Sequence, residues 1–140
     1  MAIASFTSPQ EAEQAFYEAF QRADLDAMMA VRSEDDEIVC VQPGGGRITG
    51  YAMVRESWRR IFSSGTRLKV KLLALSTVHG PFSAVHSLIE QISMASEKHL
   101  SAPVVATNVY VRGALGWRMI VHHASPVPPD SVGEVPNVLH

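Results

Sequence analysis

Between Pro9 and Ala23 the apolar residues fall at Ala12, Ala15, Phe16, Ala19, Phe20 and Ala23, the spacing of a helix that buries one face. Ser8 stands at the N-cap position, Pro9 at the first helical position, and Glu11 at the acidic corner of a capping box. Tyr17 lies beside the apolar face. Asp24 is placed to cap a second, shorter helix over Leu25 to Val31. Ile38 to Gln42 then reads as a strand, with Ile38, Cys40 and Gln42 on one face and Val39 and Val41 on the other. Pro43-Gly44-Gly45-Gly46 turns the chain, and Arg47-Ile48-Thr49 pairs back. Gly50 opens a third helix with a stripe at Tyr51, Val54, Trp58, Ile61 and Phe62, and Gly65 ends it.

From Thr66 the period changes from helix to strand. Arg67, Lys69 and Lys71 alternate with Leu68, Val70 and Leu72. After a Gly80-Pro81 turn, Ala84 to Met94 places His86, Leu88, Glu90 and Ile92 on one face. Ser96 to Ser101 is a polar connection. Val104 to Arg112 places Val104, Ala106, Asn108 and Tyr110 on one face and Val105, Thr107, Val109 and Val111 on the other. Trp117 to Ala124 is the last strand, where strict alternation groups Ile120, His122 and Ala124. The residues after Pro126 read as an extended tail.

Helices segregated from a run of strands predict an α+β fold, an antiparallel sheet with three helices on one face. The strand from Val104 to Val111 is apolar on both sides. With the helices already used on one face, a second copy of the chain is the simplest cover for the other. A homodimer through the face bearing Val105, Val109 and Val111 is therefore expected.

Bulk properties narrow the partners. A chain of 140 residues has the length of one domain. The formal net charge is −2, from 12 basic and 14 acidic residues, so neither nucleic acid nor an anionic membrane is an expected partner. Cys40 is the single cysteine, which excludes an internal disulfide and fits a reducing cytoplasm. It reads as a small buried hydrophobe. The N-terminal residues lack the basic start and apolar run of a signal peptide, and no apolar stretch reaches the ~18 residues of a membrane span. The acidic run Ser33 to Glu37 reads as a cation site or as a solvated loop, and it lacks the ligand spacing and central glycine of a calcium loop. No metal site is expected, since neither His-x-His nor His-Glu-x-x-His spacing occurs, and no cofactor motif is present.

The ordered set of features now carries a resemblance. The capped first helix, the Ala23-Asp24-Leu25-Asp26 corner, the Pro43-Gly44-Gly45 turn, Ile48-Thr49-Gly50 before a Trp58-bearing helix, and the closing Gly116-Trp117-Arg118-Met119-Ile120-Val121-His122-His123-Ala124-Ser125 strand together resemble the nuclear-transport-factor-2-like superfamily. Within it the chain is most similar to the SnoaL-like and ketosteroid-isomerase-like branch. The last strand is also similar to that of the calcium/calmodulin kinase association domain. The resemblance covers about residues 8 to 126. It implies a curved sheet wrapped around three helices, a cone with a deep pocket, usually dimeric, that takes a small and largely apolar molecule.

It also implies candidate site residues. Asn108, Tyr110 and His122 fall on the pocket face, with His86 and Glu90 on the neighbouring strand. Phe16, Phe20, Met28, Tyr51 and Trp58 are candidate walls. Ketosteroid isomerases carry an oxyanion-holding tyrosine on the first helix, where Phe16 stands here. Their base is an aspartate on the first strand before the proline, where Gln42 stands. A phenyl ring donates no hydrogen bond and an amide accepts no proton at neutral pH, so the steroid isomerase route is not expected.

Two functions from different classes follow. In the first, His86, His122, Glu90 and Tyr110 carry out acid–base chemistry on a carbonyl or polyketide-like substrate, oriented by Asn108. In the second, the chain is a non-catalytic binding or association module. His86 and Glu90 lie two pleats apart and would need a substrate or water between them. His122 and His123 point to opposite faces, which sends His122 inward, within reach of Asn108 or Tyr110. Such a hydrogen bond would fix the imidazole tautomer, and apolar surroundings would lower its pKa.

Overall fold

The computed structural model describes residues 5–33, 37–65, 67–94 and 103–127. Three helices come first in the chain, α1 (Pro9–Arg22), α2 (Leu25–Ala30) and α3 (Tyr51–Ser63). A short hairpin, β1 (Val39–Val41) and β2 (Arg47–Thr49), stands between the second and third. Four long strands follow, β3 (Leu68–His79), β4 (Ser83–Met94), β5 (Pro103–Gly113) and β6 (Gly116–Pro126).

The helix starts are set by local chemistry. The Ser8 hydroxyl accepts the Glu11 backbone N–H at 3.1 Å, and the Glu11 carboxylate accepts from the Thr7 hydroxyl. Asp24 caps α2 by accepting the Ala27 N–H at 3.0 Å. Gly65, at a φ of +81°, follows the end of α3 in the left-handed conformation that glycine adopts without strain. Gly44, at +75°, lets the β1–β2 turn close, with the Gly45 N–H on the Gln42 carbonyl.

All six strands form one curved, open sheet in the order β2-β1-β6-β5-β4-β3. Neighbours run antiparallel except β1 and β6, which run parallel, so the sheet is mixed where the segregation of helices from strands predicted an antiparallel one. The reason is topological. A helix and four strands separate β1 from β6 in the chain, so no tight turn dictates their relative direction.

The helices cover one face of the sheet. Phe16, Phe20, Met28, Val54 and Trp58 pack there against Leu88, Ala106, Met119 and Ala124. The other face bears Val85 and Val105, 39% and 43% exposed, beside the half-buried Val109 and Val111.

The last strand departs from strict alternation. Val109 pairs with Val121 but Tyr110 pairs with Met119, so Ile120 is an extra residue in β6. This bulge changes the parity of the strand. Trp117 and Met119 face the helices on one side of it, and His122 and Ala124 on the other. The expected grouping of Ile120 with His122 is therefore corrected, while His122 is buried and His123 exposed, as expected. The connection 96–101, the core of the acidic run and the tail beyond Val127 lie outside the described residues. Val127 itself is buried, with its N–H on the Pro103 carbonyl.

Candidate functional site

Register places His86, Asn108, His122 and Cys40 in one row across four adjacent strands, all on the helix-covered face. Helix α1 lies over this row and adds two polar side chains, Glu13 and Tyr17, which share its buried face with Phe16 and Phe20. Two buried hydrogen-bonded clusters result.

In the first, His122 Nδ1 stands 2.6 Å from Asn108 Oδ1, Asn108 Nδ2 donates to the Tyr17 hydroxyl at 2.9 Å, and that hydroxyl donates to Glu90 Oε2 at 2.6 Å. An amide oxygen only accepts, so His122 carries its proton on Nδ1. Its Nε2 is left with a lone pair, 3.8 Å from Glu90 Oε2. That separation exceeds a hydrogen bond. Two acceptor atoms face each other unless Glu90 is protonated or another group comes between them.

In the second, His86 Nδ1 lies 2.7 Å from Glu13 Oε2, which also accepts from the Tyr110 hydroxyl at 3.0 Å. His86 Nε2 is 3.0 Å from Nε2 of His79, an exposed residue at the end of β3, and the two rings stack. This cluster links the interior to solvent.

Burial dominates the electrostatics. Glu90 is pushed up to about 7, by removal from water and by the charge of Glu13, against the Tyr17 hydrogen bond that holds it down. His122 is held well below the usual imidazole range by burial and then by the nearby Arg32 charge, so it is neutral. Burial also raises Tyr17 and Tyr110, each next to a carboxylate, so both remain hydroxyl donors.

Arg32 follows α2 and is fully buried. Its Cζ lies 5.1 Å from the Phe16 ring centroid and 6.0 Å from that of Trp58. None of its three guanidinium nitrogens has a hydrogen-bond partner, nor does Trp58 Nε1.

Of the residues proposed from sequence, His122, Asn108 and Glu90 meet in the first cluster, and His86 and Tyr110 in the second. His86 and Glu90 do not act on each other directly, since each takes its own partner from α1. Phe16, Phe20, Met28 and Trp58 form the apolar wall, with Phe16 and Trp58 4.8 and 6.3 Å from the His122 ring. Tyr51 and Gln42 are half-buried and join neither cluster, and the Gln42 amide donates to Cys40 Sγ at 3.1 Å. Glu13 and Arg32 escape the sequence reading, and Tyr17 enters it only as a residue beside the apolar face of α1, without a role in the site. Glu13 had a signal, a carboxylate inside the apolar stripe of α1, three residues before Phe16 and four before Tyr17. Arg32 had none. Among the described residues, no group of three or more His, Cys, Asp or Glu side chains is placed to hold a metal ion, and no helix is long and apolar enough to cross a membrane.

A helix layer on one face of a curved mixed sheet, with polar side chains buried between them, defines the class of cystatin-like, NTF2-like folds. Family comparison makes it particular: the SnoaL-like domain family matches residues 10–130, and the chain belongs to it. It is 37% identical to a candidate calcium/calmodulin-dependent protein kinase type II association domain from Thiobacillus denitrificans, with a TM-score of 0.81 over 89% of this chain and 99% of that one. It is 30% identical to a candidate dehydratase of the NTF2-like family from Streptomyces avermitilis, with a TM-score of 0.74 over 84% of this chain and 91% of that one. A protein with a cystatin-like fold from Caulobacter vibrioides, 17% identical with a TM-score of 0.72 over 92% of this chain and 94% of that one, shares the fold. No curated protein matches the chain.

Proposed function

We propose that this SnoaL-like protein binds a small, largely apolar molecule between its helices and the inner face of the sheet, and moves a proton on it. A carbonyl or polyketide-like compound is the substrate class. The observation that carries this reading is the pair of facing acceptors, His122 Nε2 and Glu90 Oε2, 3.8 Å apart. A carboxyl group that titrates at about 7 exchanges its proton at working pH, as a general base or acid must. Glu90 as carboxylate takes a proton from the carbon next to the carbonyl, and the electron pair moves onto the carbonyl oxygen. Glu90, which now carries that proton, then returns it, and the His122 Nε2 lone pair faces the protonated carboxyl as an acceptor. Asn108 holds the His122 tautomer, and Tyr17 steadies the carboxylate.

A general assay fits an unidentified substrate. Aryl and alicyclic ketones are incubated with the protein in deuterium oxide, and α-proton exchange is followed by nuclear magnetic resonance. Exchange above the buffer rate, lost in Glu90→Gln and in His122→Ala, is expected. No exchange with any ketone, or exchange unchanged in Glu90→Gln, refutes the catalytic reading.

The second reading is an association module, and one observation favours it. Val39, Val41, Val85, Val105, Val109 and Val121 form an apolar stretch on the sheet face that the helices leave bare. A homodimer through this face is compatible with either reading and places the inner site within each protomer.

A further inference from the structure

The apolar-ligand reading leaves one buried group unexplained, the guanidinium of Arg32. A guanidinium stays charged under any physiological condition. Burying such a charge without a partner is strongly unfavourable, so buried arginines are paired with acceptors or anions. Here the pairing is missing. Among the described residues Arg32 forms no ion pair and no hydrogen bond from Nε, Nη1 or Nη2. The two buried carboxylates of the interior are engaged elsewhere, Glu90 with Tyr17 and Glu13 with His86 and Tyr110. The Cys40 thiol lies close enough to favour the charge, but sulfur is a weak acceptor, and none of the three guanidinium nitrogens meets it in hydrogen-bond geometry. The faces of Phe16 and Trp58 interact with the guanidinium through their rings, which leaves the in-plane N–H donors unmet.

A second buried donor stands beside it. Trp58 Nε1 also lacks a partner, and the Trp58 ring is the one that Arg32 approaches at 6.0 Å. Adjacent side chains thus present a cation and an indole N–H, all donors, against a wall of Phe16, Phe20 and Phe62.

We infer that the molecule held inside this protein bears a carboxylate, whose oxygens take the Arg32 guanidinium and the Trp58 indole N–H while its apolar body lies against the aromatic wall. A carboxylate matches the guanidinium fork, which offers two parallel N–H donors. Charge selects it over a phosphate monoester, because a single buried cation balances one negative charge and would leave a dianion with one charge uncompensated. The inference rests on the proposal that a small molecule binds at this site, and it names the chemical class of that molecule.

The test uses phenylacetate, 3-phenylpropionate and octanoate, each paired with its primary amide, with phenyl phosphate as the dianionic control. Affinity is measured by calorimetry and by the thermal midpoint of the intact protein. Contact is read from the indole N–H resonance of Trp58, assigned with Trp58→Phe. The acids are expected to bind, to raise the midpoint and to shift the Trp58 resonance, with at least tenfold weaker binding of the amides and of phenyl phosphate. Arg32→Met is expected to lose the preference of acid over amide. Its ligand-free midpoint should equal or exceed that of the wild type, because it removes an unpaired buried charge. Arg32→Lys should keep a weaker preference for the acids.

Amides that bind as tightly as the acids overturn the carboxylate and leave an apolar binding site standing. Phenyl phosphate binding more tightly than the acids overturns it in favour of another anion. If no acid binds, the inference falls, while ketone exchange still tests the proposed chemistry independently. An Arg32→Met protein that unfolds or melts well below the wild type also overturns it, by showing that the native fold needs the charge.

Discussion

Glu90 should make the protein less stable as pH rises through neutrality. Its carboxyl is 1% exposed and its pKa rises from 4.5 to about 7 on folding. Between those values the folded state binds a proton that the unfolded state has already released. The unfolding free energy then falls as pH rises, by about 1.4 kcal/mol per pH unit, and the loss levels off once both states are ionised. Over pH 5 to 8 this amounts to about 2–3 kcal/mol, an order-of-magnitude figure. His122 acts in the opposite sense. Its pKa is depressed on folding, so its contribution grows with pH up to the unfolded imidazole value, about 6.5. A comparison with Glu90→Gln separates the two, because the variant keeps the imidazole and removes the titrating carboxyl. Urea unfolding of both proteins at half-unit steps from pH 5 to 8 should show the wild type losing ground steadily to the variant. A difference that stays flat, or that moves in favour of the wild type, would refute the argument that Glu90 is buried at a desolvation penalty.

Three further outcomes are expected. Gly116→Ala should lower stability by about 1–3 kcal/mol in chemical denaturation, since Gly116 has a φ of +92° and an added Cβ would meet the Phe6 carbonyl oxygen at 2.6 Å. Val109→Lys should turn a sedimenting dimer into monomer by placing a charge in the proposed interface, and an unchanged dimer would relocate that interface. No conversion of a β,γ-unsaturated ketosteroid above the buffer rate is expected, with Phe16 and Gln42 where the isomerases carry tyrosine and aspartate; measurable turnover would show that the interior holds another route.

Element order was readable because period and punctuation agree along the chain. Ser8-Pro9-Gln10-Glu11 starts α1 with the hydroxyl cap observed, Asp24 starts α2, and the change of period after Gly65 marks where helix ends and sheet begins. Inward and outward residues of β4 and β5 followed from alternation alone, since both strands keep strict parity from Ala84 to Glu90 and from Val104 to Tyr110. The parallel β1–β6 pair was not readable. It is a contact between segments about eighty residues apart in sequence, and strand alternation carries no sign of direction.

The candidate site shows the same division more sharply. His122 was placed inward and given Asn108 as a possible partner, and the two do meet. Yet parity counted from Ile120 does not carry to His122, because the bulge at Ile120 breaks the count. Parity errs by one for each bulge between the reference residue and the residue of interest. The placement of His122 held because His122, Ala124 and the paired Asn108 all lie on the same side of the bulge. The partners of the acidic groups were harder still. Glu90 and His86 sit on one strand face, but what each can do depends on Tyr17 and Glu13, which reach them from α1 across 73 residues of chain. A helix stripe states which side chains are buried and not what they meet. The mixed character of this stripe, two aromatics with a carboxylate and a phenol, was therefore the most informative polar signal in the sequence, because a buried Glu13 or Tyr17 requires a partner on the sheet.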